Sequence, residues 1–244
     1  YSSKFPDKRN AHLSLLYFGA AISLTMTENL FLMFILFELM LIAATFIIFN
    51  GGNKLSPIAG AAYFKIHILA GVVFLIGTIM HYVQHNSFAI GTHNFFDFSS
   101  AGQMLNFAIL SALLINVAVP PFSYWLVEGY AATTPPGSVF LSIVTTKVSL
   151  IIMLNLFFGL EFLIYIGIFI GVYGIIYATL ESNIRRIVNY GIISQVGIIM
   201  IAIGVGVHRK DAAIFMIISE ILYVALAMMC VGSVIIKLKV KRYC

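Results

Sequence analysis

The chain has 244 residues, 61% of them hydrophobic and 9% charged, with a mean hydropathy of +1.03. Soluble domains average roughly 45–50% apolar and about 25% charged residues, so this composition excludes a water-soluble globule, a disordered chain and a nucleic-acid binder. The net charge of +5 rests on 14 Lys/Arg against 9 Asp/Glu, and where these few charges fall matters more than their sum. Two cysteines, Cys230 inside an apolar run and Cys244 at the end, form neither a disulfide framework nor a metal motif. The chain reads as an integral membrane protein.

A hydrocarbon layer about 30 Å thick takes roughly 20 apolar residues of helix. Runs of that kind predict eight spans, near 12–27, 29–50, 63–83, 103–125, 138–158, 162–180, 187–207 and 212–236. They are continuous and twice as long as the alternating segments of a β-barrel, about ten residues each, so the expected class is all-α. The first span is the shortest and follows a basic stretch. A signal peptide competes with it, but Glu28-Asn29 leads straight into the next span and leaves no room for a mature polar domain. The chain opens on Tyr1 rather than Met, as a sequence beginning part-way through a longer membrane protein would. With the N-terminus inside, the inner segments hold Lys4, Lys8, Arg9, Lys54, Arg185, Arg186, Lys237, Lys239, Lys241 and Arg242, and the outer ones only Arg209 and Lys210. Cytoplasmic loops carry the Lys/Arg excess, so both ends are expected inside. The 84–102 loop, without Lys or Arg, is expected outside.

The informative residues are the ionisable ones far from either interface. At 1.5 Å per residue, Glu38 lies about 14 Å into its span, Lys147 at a similar depth and Glu220 about 12 Å in. A charge at the bilayer centre is disfavoured by about 2.5–3.5 kcal/mol, so such residues face the bundle interior, pair, or line a water-filled path. Three in one short chain point to transport. The bland alternatives are a protonated Glu38, a helix-locking ion pair for Lys147 and a single interhelical bond for Glu220. Lys65, two residues into its span, can snorkel to the inner interface.

The fourth span carries Asn116-Val117-Ala118-Val119-Pro120-Pro121-Phe122. Consecutive prolines remove backbone donors and clash with preceding carbonyls, which predicts a helix break at Pro120 and Pro121. Broken membrane helices are tolerated where protein or a water-filled cavity surrounds them. The alternative is that the prolines end the span and open a 126–137 loop. His67, four residues into its span, could relay protons because imidazole titrates near neutrality, although a core histidine bonded to a neighbour is the simpler reading. His81 and His85, at i and i+4 with His93 nearby, read as an interfacial pair rather than a metal site. No nucleotide loop, catalytic triad or iron–sulfur cysteine cluster is present, so no cofactor is expected.

The stretch Asn29 to Phe46, with Phe37-Glu38-Leu39-Met40, resembles the glutamate helix of antiporter-like membrane subunits. That superfamily comprises the proton-pumping subunits of NADH:quinone oxidoreductase and the large subunits of multisubunit cation/proton antiporters. Ile115 to Glu128 (INVAVPPFSYWLVE), Thr145-Thr146-Lys147-Val148 and Glu181 to Gly197 (ESNIRRIVNYGIISQVG) are similar to three further motifs of the superfamily, in its order and spacing. The character of INVAVPP, NIRR and the Ala131–Gly137 segment is most like the D-type members among the antiporter subunits.

The resemblance implies an inverted-repeat fold within a single transmembrane domain, with a complete first five-helix repeat over 12–158 and a truncated second repeat over 162–236. It also implies a mid-membrane proton path through Glu38 and Lys147. Asn116 stands where the family has a lysine that pairs with the glutamate, and Glu220 and Val224 stand where it has His and Lys. The implied partners are the lipid bilayer, other membrane subunits of an antiporter or respiratory complex, protons and Na⁺ or K⁺. The expected function is a proton-conducting subunit of a cation/proton antiporter. The alternatives are a membrane subunit of the quinone oxidoreductase type and a truncated, non-conducting remnant or assembly subunit. The expected path residues are Glu38, Lys147, Asn116, Glu220, Lys65 and His67, in the cytoplasmic membrane of a bacterium or an organellar inner membrane.

Overall fold

A computed structural model describes residues 8–92, 95, 103–206 and 210–237. Of the residues singled out above, Lys4, His93, Arg209, Lys239, Lys241, Arg242 and Cys244 lie outside the described residues, as do the side chains of Lys8 and Arg9. Among the described residues the chain forms nine α-helices: α1 (Lys8–Met26), α2 (Leu30–Phe49), α3 (Ser56–His85), α4 (Gln103–Asn116), α5 (Tyr124–Ala132), α6 (Pro135–Leu156), α7 (Phe162–Leu180), α8 (Ile184–Val205) and α9 (Asp211–Lys237). A single 3₁₀ turn at Ile90–Thr92 lies between α3 and α4.

Local chemistry sets the helix ends. Asn29 precedes α2 and its side chain accepts from the amide of Leu32 at 3.0 Å. Thr134 caps α6 through the amide of Gly137, with Pro135 at the first helical position. Asn183 caps α8 through the amide of Arg185. Each cap satisfies a donor that the helix itself leaves open. Just upstream, the Glu181 carboxylate accepts from the amides of Asn183 and Ser182 and faces Arg186, which holds it below the usual carboxylate range.

Six helices (α2, α3, α6, α7, α8 and α9) are long and apolar enough to cross a bilayer. Two of the eight expected spans differ. The first, α1, is a nineteen-residue helix less apolar than the rest. The fourth is split: α4 ends at Asn116 and the expected 126–137 loop is instead largely the short helix α5. The α3 helix also begins at Ser56, seven residues before the expected start, because the Pro57 ring fits the first turn of a helix and blocks it only further in.

The break is built in a specific way. The amide of Ala118 donates to the Ile115 carbonyl and that of Val119 to the Leu114 carbonyl, with Ala118 in the left-handed region at φ 64°. This is the Schellman ending, usually closed by glycine, and an alanine there carries about 1–2 kcal/mol of strain. The indole of Trp125, from the first turn of α5, donates a second bond to the Ile115 carbonyl at 3.1 Å. The end of α4 therefore presents no unanswered carbonyl at Leu114 or Ile115, and the chain can turn beneath the membrane surface.

The α6 helix is the centre of the bundle, buried along most of its length. It packs against α1, α4, α8 and α9. The α7 and α8 helices make the closest pairing, backbone to backbone at Gly167, Gly171 and Gly197. Small residues permit such approach in lipid, where helices gain little from hydrophobicity alone. The outer faces of α2, α3, α7 and α9 expose Ile35, Ile42, Val72, Ile79, Phe169, Val172, Phe215 and Leu222, as a bilayer-facing surface requires.

Candidate functional site

Two polar centres lie inside this bundle. The first is a cavity with about 20 Å³ open to the centre of a water molecule, lined by Phe37, Glu38, Leu41, His67, Gly71, Phe74 and Asn116. Such a volume accommodates roughly one water. Glu38 reaches it from the ninth position of α2 and lies against Gly71 of α3, where a Cβ would overlap its Oε1. Asn116 enters from the last position of α4, placed by the Schellman turn. His67 enters from α3, with its Nδ1 donating to the Tyr63 carbonyl at 3.0 Å. With the ring in its neutral form, that bond leaves Nε2 as a lone-pair acceptor, and Nε2 has no hydrogen-bond partner among the described residues.

The second centre is an ion pair between Lys147 of α6 and Glu220 of α9, 2.9 Å apart with both side chains 2% exposed. The ammonium also donates to the Ser142 carbonyl at 3.0 Å and to Thr146 Oγ1 at 3.1 Å. It thus makes two hydrogen bonds beside its ionic contact, and such pairing makes a buried charge tolerable. Neither carboxylate oxygen of Glu220 is in hydrogen-bond geometry with a partner among the described residues.

Lys147 does not line the Glu38 cavity; its carboxylate partner is Glu220. Asn116, by contrast, lines the same cavity as Glu38. Lys65 is exposed on α3 while His67, two residues on, is buried. Residues two apart on a helix point in widely different directions, so Lys65 stands outside both centres. His81 is buried, its Nδ1 bonded to the Ser87 carbonyl at 2.8 Å, and its ring lies 4.9 Å from that of His85. No cluster of three metal-binding side chains occurs among the described residues.

Around His67 lies a set of aromatic residues that the spans alone did not single out. The rings of His67 and Tyr63 stack at 3.9 Å, Trp125 sits edge-on to His67 at 4.4 Å, and Tyr130 packs edge-on to Trp125 at 5.9 Å. Thr145 of α6 donates to the Leu141 carbonyl, so in its bond with Tyr17 the tyrosine is the donor. The i, i+4 spacing of Tyr63 and His67 is the one sequence signal that could have found part of this set.

The α8 helix grips α5 through its polar side chains. Arg185 is 5% exposed and donates from Nη1 to the carbonyls of Ala131 and Thr133 at 3.0 and 2.9 Å. Asn189 donates to the Val127 carbonyl at 2.9 Å. Arg186 pairs with Glu128 at 2.8 Å and with Glu181 at 3.7 Å. Arg185 entered the charge count as an inner-loop residue; it is instead a cap on the open carbonyls of α5.

The chain is 29% identical over 231 residues to the D-type Na(+)/H(+) antiporter subunit of Bacillus subtilis, covering 86% of this chain and 45% of that protein. It is also 29% identical over 221 residues to a protein of Rhizobium meliloti named as the probable D-type K(+)/H(+) antiporter subunit, covering 81% and 40%. The chain thus spans less than half the length of these curated relatives. In fold it is similar to a chain of the Mrp complex from Dietzia sp. DQ12-45-1b, with a TM-score of 0.79, 23% identity and coverage of 91% of this chain and 44% of that one. Residues 27–243 match the family model of the transmembrane segment of NADH:quinone oxidoreductase and Mrp antiporter subunits, and this multi-pass membrane chain belongs to that family.

Proposed function

We propose that the chain forms the proton-conducting part of a D-type subunit in a multisubunit monovalent cation/proton antiporter. The observation that carries the reading is the buried Lys147–Glu220 pair, set in the same bundle as the Glu38 cavity. Charges in lipid that do not serve transport are rare, and paired ones mark ion and proton routes. Glu38 and His67 supply one exchangeable site, Lys147 and Glu220 the other, and Asn116 holds a polar group between Glu38 and the helix break. A change of charge at one centre shifts proton occupancy at its neighbour, as coupled sites must. The D-type names of the two bacterial relatives favour exchange of H⁺ for Na⁺ or K⁺ over a role in a quinone oxidoreductase.

In this reading residues 12–158 form the complete first repeat of an inverted-repeat fold, and residues 162–236 the beginning of the second. The Lys/Arg distribution supports both ends inside, in a bacterial cytoplasmic or organellar inner membrane.

The test is proton flux in membrane vesicles that carry the whole native assembly. Glu38→Gln keeps the shape and removes the titrating group; flux should fall by at least about a hundredfold, the lower end of the usual scale for loss of a positioned acid or base. Flux equal to wild type would sink the reading. A second prediction concerns Asn116. Because it shares the cavity with Glu38, Asn116→Lys should be better tolerated with Glu38 present than in the Glu38→Gln background, by about 1–2 kcal/mol of unfolding free energy in a double-mutant cycle. Additive effects would mean the two side chains do not meet.

A further inference from the structure

Building on that reading, we infer that Trp125 is the positioning residue of the Glu38 cavity: a single indole sets both the His67 ring and the Asn116 end of α4, the two polar groups that line the cavity with Glu38.

Trp125 is the one tryptophan of the chain. It is wholly buried at the second position of α5 and does not itself line the cavity. Its indole N–H donates to the Ile115 carbonyl at 3.1 Å. That carbonyl already accepts from the amide of Ala118, so the indole is not needed to satisfy it. What the second bond adds is position. The Ile115 carbonyl and the Asn116 amide belong to one planar peptide unit, so holding the carbonyl against α5 fixes the backbone from which the Asn116 side chain projects.

The same indole meets His67, with ring centroids 4.4 Å apart and planes at 77°, the edge-to-face arrangement that aromatic rings favour. Tyr63 stacks on that imidazole at 3.9 Å, and Nδ1 is bonded to the Tyr63 carbonyl. Turning the ring over would break the bond and disturb both ring contacts. His67 is thereby held with one nitrogen committed and Nε2 left over. The indole has little freedom of its own. Tyr63 and Tyr130 meet it edge-on at 5.4 and 5.9 Å, and Asn189 of α8 holds α5 through the carbonyl of Val127, two residues on.

Proton exchange between Glu38 and His67 needs the two within hydrogen-bond reach, directly or through one water, and the cavity has room for one. In so small a space a shift of about 1 Å in either wall breaks the connection, and misplacement on that scale lowers a rate by about a hundredfold. Trp125 carries no proton in this scheme, because its one polar hydrogen stays on the Ile115 carbonyl.

The test places two replacements at position 125 in vesicles bearing the whole native assembly, beside Glu38→Gln. The first is the tryptophan analogue with sulfur in place of the indole N–H, which keeps the ring contacts and loses only the bond to Ile115. The second, Trp125→Leu, loses both. Flux per assembled complex should fall about three- to tenfold with the analogue, the worth of one hydrogen bond in a rate, and about a hundredfold with leucine. The pH profile separates positioning from packing. Fewer folded complexes lower flux by the same factor at every pH, whereas a displaced wall changes the surroundings of Glu38 and moves the midpoint of the profile. The titratable groups on this cavity are Glu38 from α2 and His67 from α3; α4 brings only the Asn116 amide, and Tyr63 and Tyr130 join through their rings. Flux within twofold of wild type in both variants overturns the inference. So does lowered flux with an unmoved midpoint, which assigns the residue to packing, and so do equal losses in both, which take the His67 contact out of the role. Lost flux in Glu38→Gln with normal flux in both Trp125 variants removes the positioning role and keeps the proposed function, whereas normal flux in all three removes the proposed function.

Discussion

Lys147→Met is expected to destabilise the folded protein by about 3–5 kcal/mol, the scale measured when one member of a buried pair is removed. The substitution preserves the length of the side chain, so little of the loss comes from packing. It arises because Glu220, 2% exposed, keeps a charge with no counter-ion. The deficit should shrink as the medium is acidified, because a protonated Glu220 has no charge to compensate. Lys147→Met combined with Glu220→Leu should regain most of the stability, since apolar replacements of buried pairs are often neutral or better. The double variant should nevertheless carry no proton flux. Denaturant unfolding in detergent, with flux measured on the same preparations, checks both halves. If the single and double variants are equally stable, the pair does not hold the fold. If the double variant conducts, the pair lies off the path.

The second large effect concerns the pairing of α7 with α8. A Cβ on Gly197 would sit 2.5 Å from both the carbonyl oxygen of Gly167 and the amide nitrogen of Gly171. Both are backbone atoms that no rotamer change can move aside. Gly197→Leu should therefore force the helices apart at a cost of about 3 kcal/mol, the upper end of the range for overpacked interiors. Gly191→Leu, less than two turns earlier on the same helix, meets nothing within 4 Å and serves as the control. Unfolding midpoints that match between the two would show that the glycine contact is not a determinant of assembly.

The helices were legible as runs of apolar residues because in a bilayer every backbone group must be satisfied within its own segment. The break at Pro120-Pro121 was legible for the same reason, since proline chemistry is local. What periodicity could not give was the partner of each charge. Lys147 is separated from Glu38 and from Glu220 by long stretches of chain, and only the packing of α6 on α9 decides between them. Asn116 lines the same cavity as Glu38, and it was singled out with Glu38 because the resemblance supplied the pairing of those two positions. Arg185 was misread because a charge next to a predicted span reads as an interfacial loop residue. Its burial follows from α5, a nine-residue helix too short to register as a span, whose last carbonyls need donors.

The clamp that α8 places on α5 has a mechanical consequence. Arg185, Asn189 and Arg186 take hold of α5 through both backbone carbonyls and a carboxylate, so a tilt of α8 is transmitted to α5 without slack and the two travel as one lever. The compliance then concentrates in the turn at 117–123, whose left-handed alanine is already under load.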